Sequence, residues 1–179
     1  MSATIYPGTF WGTRGGLVVT ASGVCTAAGG KVIKRDLTTG AVIWEKDMIM
    51  SNGGSPLAAD GAGNIYVVPF QNGVTQYDSG GNVLRVFGAI SNLASDMDVD
   101  EAGNIYIVGS TVSSKSGSDI FTQKYGSAGN LVWSTTYGKS GQYSDQGIGI
   151  TVRSGYVYVG GSRFNKNLDM CTLKYRAGN

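Results

Sequence analysis

The chain has no histidine, two cysteines and three prolines in 179 residues, and only 15% of its residues are charged. Without histidine, the commonest general base and the commonest metal-ligating side chain are both missing. Two cysteines, Cys25 and Cys171, are too few for a disulfide framework. Both sit in strand-like runs and read as buried free thiols. The net charge of +2, with no run of Lys or Arg, leaves no electrostatic footprint for nucleic acid or a membrane surface. No apolar run approaches the ~18 residues that span a bilayer. The N-terminus MSATIYPGTFWGTRGG lacks the basic-then-apolar order of a cleaved signal peptide, so none is expected.

What is abundant is glycine, 29 residues of it, in a chain that is 41% hydrophobic. Glycine without proline, and without a Gly-X-Y period, means many tight turns around a real core. No stretch sustains a 3.6-residue period, so helix should be nearly absent.

The glycines mark a repeat. Asp60-Gly-Ala-Gly63-Asn64-Ile65-Tyr66-Val67-Val68 is matched by Asp100-Glu-Ala-Gly103-Asn104-Ile105-Tyr106-Ile107-Val108. Ser154-Gly155-Tyr156-Val157-Tyr158-Val159 is a third copy, and Ala21–Ala27 a degraded first one. A second hairpin recurs around Asp36–Gly40, Asp78–Asn82, Gly126–Asn130 and Ala177–Asn179. Gly-Asn and Gly-Gly supply the positive φ that hairpin turns need, and their flanks alternate β-branched or aromatic residues with polar ones. Units of roughly 40 residues with four strands each are the pattern of propeller blades.

The expected architecture is an all-β, small β-propeller of four four-stranded blades in one domain, 1–179. The blades fall at about 13–48, 54–88, 94–138 and 144–179. Blade four stops at its third turn, and residues 3–11 supply a strand that completes it: Tyr6 and Phe10 fall where blade three has Trp133 and Tyr137. Such a latch removes an open sheet edge. A ring closed within one chain is favoured over two chains exchanging N-terminal strands. Cys25 and Cys171 would then lie in neighbouring blades, where a disulfide becomes possible.

Blades three and four read D-x-x-GNIYIVG-S-T, then D-I-x-T-x-KY and GN-LVW. This resembles the bacterial SBBP-type β-propeller repeat, well over 94–179, more loosely over 55–90, and least over 1–50. The resemblance implies a fold, not a reaction. Blade one, with Asp36-Leu-Thr-Thr-Gly40 followed by Trp44, also resembles the quinoprotein repeat, which is read as shared blade architecture.

Asp96, Asp98 and Asp100 are the sharpest candidate site. Alternate spacing on an extended segment puts their carboxylates on one face, and clustered oxygens suit Ca²⁺; no other cofactor is implied. Trp11 lies outside the repeat register and is a candidate partner contact. Tyr66, Tyr106, Tyr158, Trp44 and Trp133 recur at equivalent positions and read as blade packing. With nothing resembling a catalytic triad, the expectation is a non-enzymatic structural or protein-interaction module, an accessory of a larger assembly such as a phage virion. A carbohydrate- or small-ligand-binding, lectin-like propeller is the alternative.

Overall fold

The computed structural model describes residues 16–49, 55–69, 73–90, 93–111, 117–138, 144–165 and 167–178. These residues form fifteen strands and no helix. Blade one is β1 (Gly16–Thr20), β2 (Gly23–Ala28), β3 (Lys31–Arg35) and β4 (Val42–Asp47). Blade two is β5 (Leu57–Ala59), β6 (Ile65–Val67), β7 (Val74–Tyr77) and β8 (Val83–Phe87). Blade three is β9 (Leu93–Val99), β10 (Ile105–Ser110), β11 (Ile120–Tyr125) and β12 (Leu131–Tyr137). Blade four is β13 (Gln146–Arg153), β14 (Tyr156–Asn165) and β15 (Asn167–Arg176). Each blade is an antiparallel meander in chain order. The protein is an all-β, four-bladed propeller. The predicted latch over residues 3–11 and Trp11 lie outside the described residues.

The hairpins form where glycine permits them. Gly63 and Gly103 have φ of 81° and 77°, and each donates its N–H to the carbonyl of the Asp three residues earlier. A β-bulge falls at one place in three blades, after Lys34, Gln76 and Lys124, where the third strand meets the fourth.

Three apolar cores lie between successive blades. Cys25, Ala27, Val32 and Trp44 meet Leu57, Ile65, Val67 and Tyr77 between blades one and two. Ala58, Tyr66 and Val74 meet Met97, Ile105 and Ile107 between blades two and three. Tyr106, Val108 and Ile120 meet Ile150, Val157 and Val159 between blades three and four. The middle strands of blades two and three are buried on both faces, whereas β2, β3 and the second half of β15 alternate. A strand covered on both sides loses its alternation; one covered on a single side keeps it.

Candidate functional site: the loop cleft and the blade junctions

Asp60 and Asp100 hold identical cradles. Asp100 Oδ1 accepts from the backbone N–H of Ala102 (3.0 Å) and Asn104 (2.8 Å), while Oδ2 accepts from Asn104 Nδ2 (2.8 Å) and the Tyr106 hydroxyl (2.9 Å). Asp60 makes the same four bonds to Ala62, Asn64 and Tyr66. The Asp-x-x-Gly-Asn-Ile-Tyr motif is therefore a turn held by one carboxylate and locked to the buried tyrosine two residues beyond the asparagine. Burial pushes the Asp100 carboxyl up, but the donors from Asn104, Tyr106 and Ala102 outweigh it and leave the group below the usual carboxylate range. Burial, then the facing carboxylate, push the Tyr66 hydroxyl up to about 12 and that of Tyr106 higher still.

Asp96 and Asp98 point elsewhere. Asp96 Oδ2 accepts from the Ile150 N–H (2.9 Å), and Asp98 Oδ2 from the Val152 N–H (2.8 Å) and the Thr151 hydroxyl (3.1 Å). Two carboxylates on β9 thus satisfy alternate amides along β13 and strap blade four to blade three. Burial raises the Asp96 carboxyl against the lowering effect of the Ile150 N–H. The alternate spacing does put Asp96 and Asp98 on one face, but aimed at different amides, with Asp100 in the turn beyond. Among the described residues no group of three or more acidic or thiol side chains is arranged to hold a metal ion.

Beside this strap lies a half-open cleft of about 690 Å³ between the β9–β10 and β13–β14 turns. Asp98, Asp100, Glu101, Thr151, Arg153 and Ser154 line it, with Glu101 and Arg153 exposed.

The junctions themselves repeat a contact that sequence reasoning missed. Lys34 Nζ donates to the Ser79 carbonyl of the next blade (2.9 Å), Arg85 Nη2 to the Ser127 carbonyl, and Lys124 Nζ to the Ala177 carbonyl. The three acceptors hold the same place in the turn after each blade's third strand. An aromatic of each fourth strand rests on a tyrosine of the next blade's third strand: Trp44 on Tyr77 (5.9 Å), Phe87 on Tyr125 (5.8 Å) and Trp133 on Tyr175 (6.0 Å). The recurring Lys-Tyr of blades three and four was the visible signal, but blade two moves the cation to β8, where Arg85 reaches across Gln76 (2.6 Å). Tyr66, Tyr106, Trp44 and Trp133 are junction residues, as their recurrence predicts. Tyr158 instead carries Lys174 over its ring.

Cys25 and Cys171 are free thiols. Cys25 packs between blades one and two and Cys171 between blades three and four, so the disulfide considered from the sequence does not form. Burial drives the Cys25 thiol up to about 11 despite nearby Lys34, and also raises Cys171.

The chain matches no protein-family model and no curated protein sequence. Solved structures do resemble it. BamB from Moraxella catarrhalis superposes with a TM-score of 0.56 at 18% identity, covering 84% of this chain and 46% of that one. A protein of unknown function from Bacteroides caccae gives a TM-score of 0.56 at 14% identity over 89% of this chain and 57% of that one. The likeness is one of fold. The chain spans about half the length of these two proteins.

Proposed function

We propose that the chain is a non-enzymatic protein-interaction module, presenting propeller loops to a protein partner as an accessory of a larger assembly such as a phage virion. One observation carries this reading. Among the described residues, the carboxylates of the candidate site and the junction lysines are spent on structure: Asp60 and Asp100 on turns, Asp96 and Asp98 on β13, Lys34 and Lys124 on neighbouring carbonyls. The loop cleft, by contrast, presents Glu101 and Arg153 to solvent. Loops on a rigid frame are where binding residues concentrate. The likeness to BamB-like propellers supports a scaffold, and the structural roles of the GNIY, KY and GN positions support repeats of the SBBP type. The carbohydrate reading has lost its main support, since most of the repeated aromatics are packed in junctions.

Affinity capture with the intact chain and with Glu101→Ala/Arg153→Ala tests it. A defined partner retained by the former and lost by the latter is the expected result. Equal capture by both, or one saccharide on a glycan array that binds at micromolar concentration, overturns it.

A further inference from the structure

A small half-open pocket of about 150 Å³ lies where β1, the start of β5 and β9 meet, lined by Leu17, Ser55, Pro56, Leu57, Ser95 and Asp96. Glycine lets the first two strands approach: the Gly16 N–H donates to the Ser55 carbonyl at 3.2 Å, and a Cβ at Gly16 would lie 2.7 Å from that oxygen. Ser55 is 1% exposed, and its hydroxyl is buried with no hydrogen-bond partner. An unpartnered buried hydroxyl is costly, so a polar group that reaches it gains a bond the fold leaves unmade.

Asp96 is the charged group of the same pocket. The Ile150 N–H takes one acceptor position of its Oδ2 (2.9 Å), and a carboxylate offers about four, so capacity remains. Among the described residues no Lys or Arg pairs with it; the ion pairs there belong to Lys31. Burial raises the Asp96 carboxyl, the Ile150 and Met97 N–H groups lower it, and the charge that bears on it is the like charge of Asp98. A half-buried carboxylate without a cation weakens the fold until something offsets it.

We propose that this pocket receives one primary ammonium group, the tip of a lysine side chain of the protein partner. The donors and acceptors match: an ammonium has three N–H donors, and Asp96, Ser55 and Ser95 offer side-chain oxygens to them. Leu17, Pro56 and Leu57 give the rest of the lining an apolar character, which suits the methylene stem behind the charged tip. A divalent metal is served less well, because the pocket has one carboxylate where such ions gather several. A guanidinium is also served less well, since its paired N–H groups want both carboxylate oxygens and the Ile150 N–H already engages Oδ2. The inference rests on the interaction-module reading only for the source of the ammonium.

Titration of the isotope-labelled full chain with methylammonium chloride, followed by NMR at pH 7 and constant ionic strength, tests the pocket. The range is about 1–100 mM, because so few atoms deliver only millimolar affinity. Saturable shifts at Ser55, Ser95 and Asp96, absent with potassium chloride, are expected. Asp96→Asn should abolish them, and Ser55→Ala should weaken binding roughly tenfold. Both variants should melt no lower than the parent, since Asn keeps an oxygen for the Ile150 N–H and Ala removes a hydroxyl that has no partner. Nα-acetyl-lysine methylamide should bind at the same residues, and the norleucine analogue, which lacks the ammonium, should not. Absence of saturable shifts, which leaves a pocket for water only, overturns the proposal, as do shifts that survive in Asp96→Asn. Methylammonium binding without binding of the lysine amide overturns the lysine source. None of these outcomes bears on capture through Glu101 and Arg153, so the two readings fail separately.

Discussion

Asp100 shows how much a single side chain does in this fold. Its two oxygens accept four bonds, one from the hydroxyl of fully buried Tyr106. Asp100→Ala should therefore cost about 1–3 kcal/mol, because the turn loses its cradle and a buried hydroxyl loses its acceptor. Chemical denaturation with an unchanged m-value is the measurement, and a loss under a few tenths of a kcal/mol would refute the account. The same accounting bears on calcium. Asp96, Asp98 and Asp100 already accept hydrogen bonds from amides and hydroxyls, which compete with an ion for their oxygens. Millimolar Ca²⁺ is expected to leave the melting temperature unchanged, and a rise of several degrees would show that these carboxylates bind the ion.

At the scale of elements, the turn glycines separate two costs. Gly40 and Gly81 both have positive φ, 72° and 86°. A Cβ at Gly40 meets nothing within 4 Å, whereas at Gly81 it would lie 2.8 Å from the Trp44 ring of the preceding blade. Gly40→Ala should cost roughly 1–2 kcal/mol of backbone strain alone. Gly81→Ala should cost clearly more, because the blade-one/blade-two junction must shift. Equal losses in urea unfolding would show that the Trp44 packing is slack. The thiols report on the same junctions. Cys25 is buried with its acidity suppressed, and Cys171 is only half-buried. Under a disulfide reagent at pH 8, Cys171 should react first and Cys25 only as the protein unfolds; equally fast reaction of Cys25 in the native state would contradict its placement.

At the scale of the molecule, pH sums the carboxylates. Donors from Thr39 and Thr38 hold Asp36 low, those from Asn82 hold Asp78 low against slight burial, and Asp100 is low in spite of burial. A folded-state pKa below the unfolded one contributes stability that is present above about pH 4 and lost as pH falls through the folded values. Asp96 runs the other way. Its raised carboxyl contributes stability below the unfolded pKa, which is lost as pH rises through the folded one. Three groups against one predict a melting temperature that falls on acidification below about pH 4. Asp96→Asn, which keeps an acceptor for the Ile150 N–H, should be neutral or stabilising at pH 7 and bring no gain at pH 3. A variant destabilised at pH 7 would show that the charge itself is needed.

The fold was largely legible in the chain because local chemistry writes it. Asp-x-x-Gly-Asn forces a turn wherever it stands, and the strands beside it announce themselves by β-branched and aromatic residues. Blade count and strand order follow from repetition alone. The site was less legible. Asp96, Asp98 and Asp100 have the spacing of a ligand set, and nothing within blade three reveals that β13 offers amides to the first two. The cation at each junction was hidden for a like reason: Lys34, Arg85 and Lys124 occupy two different strands, and only the neighbouring blade supplies their common target. The sequence by itself determined the turns, the strands and their grouping into blades, since these depend on residues a few positions apart. The tertiary structure alone decided which face each blade turns to its neighbour, and that Ser55 and Asp96, in different blades, line one pocket. Burial is a property of two surfaces, and a repeat read along the chain shows only one of them.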